Sequence, residues 1–235
     1  MIVRQVRLQK ILSRTVHGPT GEERFAVSSK ILRWCLCDGA SESWDAASWA
    51  LDLACSLIRL GACPAAVAQA QALHERSGAE PTDWISGQAQ KRGSWATALV
   101  VQVSGGGKRV HAWAVGDTEL FVLDGTEIVR AFPVTDPSDF GSTPGLVSSR
   151  PAASGGDGDP SFRQMNFSLA RLARPSLVMV TDALAARLLA ASGQERSRLF
   201  RFFNACSPAE FSAWADAEIA DRSIAPDDLT FAWIR

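Results

Sequence analysis

The stretch TALVVQVSGGGKRVHAWAVGDTELFVLDGTEIVRAF, Thr97 to Phe132, is a series of short apolar runs separated by turn residues. Thr97 to Val103, Val110 to Val115, Glu119 to Leu123 and Thr126 to Phe132 read as consecutive strands. Gly105-Gly106-Gly107 joins the first two, and Asp124-Gly125 marks a tight hairpin, because such turns require positive φ. No helical segment intervenes to carry the chain back to a parallel neighbour, so the spacing predicts an antiparallel meander.

Outward from this stretch the pattern alternates between strands and helices. Upstream, Val3 to Leu12, Arg24 to Ser28 and Ile31 to Cys37 are strand-like. Trp44 to Leu60 then reads as a helix capped by Ser41 or Ser43, with Glu42 and Asp45 near its positive end and Gly61 as its stop. Pro64 to Ser77 suits a second helix that begins on proline. Downstream, Pro133 to Pro160 is rich in Pro, Gly, Ser and Asp and reads as one long loop. Its Asp157-Gly158-Asp159 lacks the other positions of a calcium loop and is read as solvated. A strand from Phe162 to Phe167, a strand ending at Asp182, helices at Leu184 to Ala191, Gln194 to Asn204 and Pro208 to Ala220, and a last strand from Leu229 complete the order. The expectation is one α+β domain over residues 1–235, with helices covering antiparallel sheets.

Composition narrows the function classes. The net charge is −1 and no stretch concentrates Lys and Arg, so neither nucleic acid nor a membrane surface is expected as a partner. No apolar run approaches the ~20 residues that span a bilayer, and a cytoplasmic location is expected. Five cysteines without paired spacing agree with a reducing compartment. Cys35 and Cys37 share one strand face and read as core thiols. The three histidines are scattered, with His111 in a packing or surface role, and the eight tryptophans are expected to pack core and helix faces.

Four aspartates flank the apolar runs: Asp38, Asp117, Asp182 and Asp227. A carboxylate at the mouth of a buried strand is costly unless a partner compensates it. Several of them converging, with oxygen donors and no histidine or cysteine among them, select hard cations such as Mg²⁺ or Mn²⁺.

Taken in order, Gly21-Glu22-Glu23-Arg24-Phe25, Cys37-Asp38-Gly39-Ala40-Ser41-Glu42-Ser43, Ala114-Val115-Gly116-Asp117-Thr118, Val180-Thr181-Asp182-Ala183 and Asp227-Asp228-Leu229-Thr230 resemble the PP2C (PPM) family of metal-dependent protein phosphatases, in its small bacterial single-domain branch. The resemblance covers nearly the whole chain. It implies an αββα sandwich, two antiparallel sheets flanked by helix pairs, with two Mn²⁺ or Mg²⁺ ions at one end. It also implies roles: Asp38 bridging both ions, the Gly39 carbonyl on one, Asp182 and Asp227 on the other, and Glu22 or Glu23 acting through water. Asp117 is expected to support the same edge from outside the ligand set. The implied activity is hydrolysis of phosphoserine and phosphothreonine in a phosphoprotein, opposing a serine/threonine kinase. The alternatives are a pseudophosphatase that binds phosphoprotein without turnover, and a phosphatase of small esters. Four positions depart from the family's common choices: Glu23 for aspartate, Ala40 for a histidine found in many eukaryotic members, Ala183 for glycine and Asp228 for asparagine. A phosphate-binding arginine is not evident where relatives carry one. Gly18 stands near that place, with Arg14, His17 and Arg24 nearby.

Overall fold

The structure, a computed structural model, describes residues 7–15, 21–77, 83–140, 145–151 and 161–235. The expected strand residues before Arg7, the His17 and Gly18 positions and Asp157-Gly158-Asp159 lie outside the described residues. The chain forms β1 (Leu8–Arg14), β2 (Glu23–Ser28), β3 (Arg33–Gly39), α1 (Ala46–Leu60), α2 (Pro64–Ser77) and α3 (Trp84–Arg92). It continues with β4 (Trp95–Ser104), β5 (Arg109–Val115), β6 (Glu119–Asp124), β7 (Glu127–Phe132), a 3₁₀ turn at Pro137–Asp139, β8 (Val147–Ser148) and β9 (Arg163–Ser168). β10 (Pro175–Val180), α4 (Asp182–Ala190), α5 (Gly193–Ala205), α6 (Pro208–Ala220) and β11 (Leu229–Ile234) complete it.

Two antiparallel sheets result, ordered β1-β11-β10-β6-β7 and β2-β3-β4-β5-β9, with β8 against β4. The expected four-strand meander is therefore divided. β4 pairs with β5 in one sheet, β6 pairs with β7 in the other, and the chain changes sheets at Gly116-Asp117-Thr118. Gly116 makes the crossing possible: its φ is +90°, and a Cβ there would sit 2.6 Å from Cγ2 of Thr97. Strand periodicity detects each strand but carries no signal for which neighbour it will choose.

Alternation along the strands builds the layers. On β3, Trp34 and Leu36 face the layer between the sheets, whereas Cys35 and Cys37 face the side that holds Leu53 and Leu57 of α1. On β10, Leu177 and Met179 face the inter-sheet layer, while Val178 and Val180 meet Phe200, Phe203 and Phe211 of α5 and α6. Each such fully buried side chain contributes about 1.5–3 kcal/mol. The result is the αββα sandwich, except that three helices, α4 to α6, rather than a pair, contribute to the core on one side.

Other expectations are refined. The cap of α1 is Asp45 in a left-handed conformation, and neither serine serves. Ser41 donates to Glu22 Oε2 at 2.6 Å and Ser43 donates to the Ala40 carbonyl at 2.7 Å, so both hydroxyls are engaged in the preceding loop. α3 was not legible as a helix. Asp182 opens α4 rather than ending a strand. The 133–160 loop contains a 3₁₀ turn and the short β8. Cys35 and Cys37 are buried free thiols, as expected. His111 contacts Ser104 and Asn166 and stacks on Trp113. Trp34, Trp49 and Trp233 fill the core, but Trp84 is 76% exposed. Among the described residues, no helix is long and apolar enough to cross a membrane.

Candidate functional site

The strand registers deliver the acidic residues to one end of the sandwich. Asp38 lies opposite Glu23 on β2 and Thr97 on β4. By alternation it falls on the face of Trp34 and Leu36, so its carboxyl belongs to the layer between the sheets. In the other sheet, Val180 pairs with Phe231 and Glu119, which places the start of α4, the approach to β11 and the start of β6 at that same end. Asp182, Asp227 and Asp117 follow from these positions.

The loops holding these residues are closely tied. The backbone N–H of Glu22 donates to Asp228 Oδ2 at 3.0 Å, and that of Gly39 donates to the Glu22 carbonyl at 3.3 Å. Gly21 has φ +62°, and a Cβ there would lie 2.9 Å from Glu23 Oε2 and 3.0 Å from Asp228 Oδ2. Gly39 has no room for a side chain either, because a Cβ would come within 2.8 Å of the Ala46 carbonyl oxygen. Ala183 N–H donates to Asp182 Oδ1 at 2.6 Å, and Asp228 N–H donates to Asp227 Oδ1 at 2.8 Å. Thr181 bridges the two acidic loops by donating to the Asp228 carbonyl and accepting from Thr230 N–H.

Electrostatically these carboxyls are in conflict. Burial, then the charges of Asp182, Glu23, Asp227 and Asp117, push Asp38 well above the usual carboxylate range. Burial and the charge of Asp228 raise Glu23 to about 8. Burial and the charges of Asp117 and Asp227 raise Asp182 to about 6. Asp117 is raised by burial, offset in part by its own backbone N–H. Among the described residues, no three Asp, Glu, His or Cys side chains close into a finished ligand cluster. The donor set nevertheless suits hard cations: it is all oxygen, its members repel one another, and Glu23 Oε1 is buried without a hydrogen-bond partner.

Beside the acids lies a cavity of about 430 Å³ walled by Asp117, Pro133, Val134, Asp139, Gly145 and Arg163. Arg163, missed by sequence reasoning, is the arginine in that wall, whereas Arg14 and Arg24 are engaged elsewhere. Arg14 pairs with Asp216 at 2.7 Å, and Arg24 donates to the carbonyls of Gly21 and Glu23. Glu119 was also missed, although an acid opening the apolar run Leu120 to Leu123 was a legible signal. It is fully buried, accepts from Val134 N–H at 2.9 Å and leaves Oε1 unpartnered. Burial raises it to about 9 against the lowering effect of the Val134 and Phe132 N–H groups. A second constellation is structural. His74 lies 3.3 Å from Asp52 and 3.2 Å from Ser94, but the Ser94 hydroxyl is buried and donates to the Trp44 carbonyl, so its proton is not available to the imidazole.

No protein-family model matches the chain, and no curated protein matches it in sequence. Solved structures do. A bacterial serine phosphatase is similar over 97% of this chain and 97% of its own, with a TM-score of 0.63 at 14% identity. The serine/threonine phosphatase PstP/Ppp of Mycobacterium tuberculosis aligns over 97% of both chains with a TM-score of 0.60 at 16% identity. Stp1 of Staphylococcus aureus gives 0.59 at 14% identity, over 97% of this chain and 94% of that one. At such identities the likeness speaks to architecture, and the architecture of this chain is that of the bacterial serine/threonine phosphatases.

Proposed function

We propose that the chain hydrolyses phosphoserine and phosphothreonine esters in phosphoproteins, opposing a serine/threonine kinase inside the cell. The observation that carries this reading is the convergence of Glu23, Asp38, Asp117, Asp182 and Asp227 at one end of a phosphatase-type sandwich. Asp38, Asp182, Asp227 and the Gly39 carbonyl would hold two divalent cations, Mn²⁺ or Mg²⁺, with Glu22 and Glu23 acting through water. When bound, such ions supply Lewis acidity toward the phosphoryl group and lower the pKa of water.

The chain's own residues provide the rest. Asp38 comes from a strand of one sheet, and Asp182 and Asp227 come from segments flanking β10 and β11 of the other, so the carboxyls meet at the shared end of the two sheets. Arg163 stands in the cavity wall, where its guanidinium can take a phosphoryl oxygen and orient the ester. Asp117 keeps the crossing loop at the acid edge. Ala40 offers no side-chain proton, so the leaving alkoxide takes its proton from solvent.

The test is hydrolysis of a phosphothreonine peptide and of p-nitrophenyl phosphate with Mn²⁺, with EDTA, and in the Asp38→Ala and Asp182→Ala variants. Mn²⁺-dependent turnover lost in both variants is expected. Turnover that survives EDTA would remove the two-metal reading, and absence of turnover with tight phosphopeptide binding would make the chain a phosphoprotein-binding module. Preference for the small ester alone would redirect the substrate class.

A further inference from the structure

The pole opposite the acids is basic. β6 ends there, β10 begins there and β11 ends there, since Asp124 pairs with Pro175, and Leu177 pairs with Ile234. Six residues of strand place this pole roughly 17 Å from the acid end. It holds a concavity of about 740 Å³ whose wall includes Gly125, Pro175 and three arginines, Arg174, Arg201 and Arg235. All three arginines are exposed, and among the described residues none of them forms an ion pair.

The three arginines come from different elements, and two of the guanidiniums have a local support. Arg174 lies across the hairpin turn, with Nη2 2.7 Å from where a Cβ of Gly125 would be, so glycine at that turn leaves the guanidinium its place. The neighbouring Asp124 turns its carboxylate to the backbone, accepting from the main-chain N–H of Arg174 at 2.6 Å and of Ala173 at 3.1 Å; these bonds, and in smaller part the Arg174 charge, lower its pKa, but the two side chains form no ion pair. Arg235 stands 5.0 Å over the ring of Trp233, and its backbone N–H donates to the Arg7 carbonyl at 2.9 Å. Arg201 approaches from α5, a separate element.

We infer that this pole is a binding site for a small polyphosphate, a ligand with two or more linked phosphoryl groups. Three guanidiniums around one hollow repel each other, and an anion that bridges them relieves the repulsion. Guanidinium meets phosphoryl oxygens in paired hydrogen bonds, so linked phosphoryl groups suit arginines that come from different elements. The hollow lies within the usual size range of small-molecule sites. The site is independent of the metal chemistry proposed above and needs no cation.

The test is titration calorimetry with inorganic tripolyphosphate in EDTA, on the wild type, on Arg174→Gln/Arg201→Gln and on Asp38→Asn. Because both arginines are exposed, the double variant is expected to keep the wild-type circular dichroism spectrum and melting temperature. Saturable binding that weakens at least tenfold in the double variant and is unchanged in Asp38→Asn is the expected result. Absence of saturable binding, equal binding in the double variant, or loss of binding in Asp38→Asn would each overturn the assignment. Tighter binding of a multiply phosphorylated peptide than of tripolyphosphate would also overturn it, in favour of a protein partner.

Discussion

Glu23 and Asp38 stand directly opposite each other on neighbouring antiparallel strands, two carboxyls paired across β2 and β3. Like charges in that relation destabilise a sheet, and both groups are pushed upward in pKa. In the folded protein without cations Glu23 holds its proton to about pH 8, whereas in the unfolded chain it ionises near the ordinary glutamate value of 4.5. Between those limits the folded state binds more protons, so stability falls as pH rises. We expect Glu23→Gln to flatten this decline in EDTA. Urea unfolding at pH 5, 6.5 and 8 measures it, and parallel curves for the two proteins would contradict the account.

Cations should reverse the conflict. Binding must displace protons from Asp38, Glu23 and Asp182, so affinity is expected to increase from pH 6 to pH 8. At a Mn²⁺ concentration one hundred times its dissociation constant, the stabilisation would be about 2.7 kcal/mol. Differential scanning calorimetry should show a larger Mn²⁺-induced rise in melting temperature at pH 8 than at pH 6, with little rise in Asp38→Asn. A rise that is equal at both pH values would argue against linked protons.

Glu119 makes a different forecast. Its face is that of Phe121 and Leu123, beneath the helices, and it keeps a proton up to about pH 9. Stability should decline from about pH 4.5 to 9 as the unfolded chain alone releases this proton. Glu119→Gln retains an acceptor for Val134 N–H and removes the charge, so it is expected to raise stability at pH 8 by about 1–3 kcal/mol. Chemical denaturation at pH 8 decides, and destabilisation there would show that the carboxyl is ionised and paired.

Arg163 separates substrate binding from chemistry. If it takes a phosphoryl oxygen at the cavity wall, Arg163→Ala should raise KM for a phosphopeptide by roughly tenfold, with a smaller change in kcat. Steady-state kinetics on peptide and on p-nitrophenyl phosphate would show this. An effect on kcat alone would place the residue elsewhere in the cycle.

Much of this was legible because burial leaves a strong periodic imprint. The strand positions from Thr97 to Phe132, the helix at Pro64–Ser77 and the places of Asp38, Asp117 and Asp227 next to strand ends were anticipated, whereas Asp182 opens a helix. Sheet membership was not, because β5 and β6 differ in partner rather than in pattern, and only Gly116-Asp117-Thr118 separate them. The cap of α1 was misjudged for a related reason. Ser41 and Ser43 have the right chemistry for capping, but Glu22 and Ala40 claim their hydroxyls from elsewhere in the fold. Arg163 and Glu119 acquire meaning only through neighbours remote in sequence. Trp84 shows the limit of composition, since a large apolar side chain reads as core until its neighbours are known.

The division of the acids between two sheets has a kinetic consequence. Asp38 belongs to the sheet built from β2 to β5 and β9, whereas Asp182 and Asp227 lie just beyond β10 and just ahead of β11 of the other, and long stretches of chain separate them. Such non-local pairings form late, because loop closure precedes any compensating contact. Each sheet can acquire its hydrogen bonds before the three carboxyls meet. Cation binding during refolding would thus report the docking of the layers, and a chain with native secondary structure but unseated sheets would be blind to Mn²⁺.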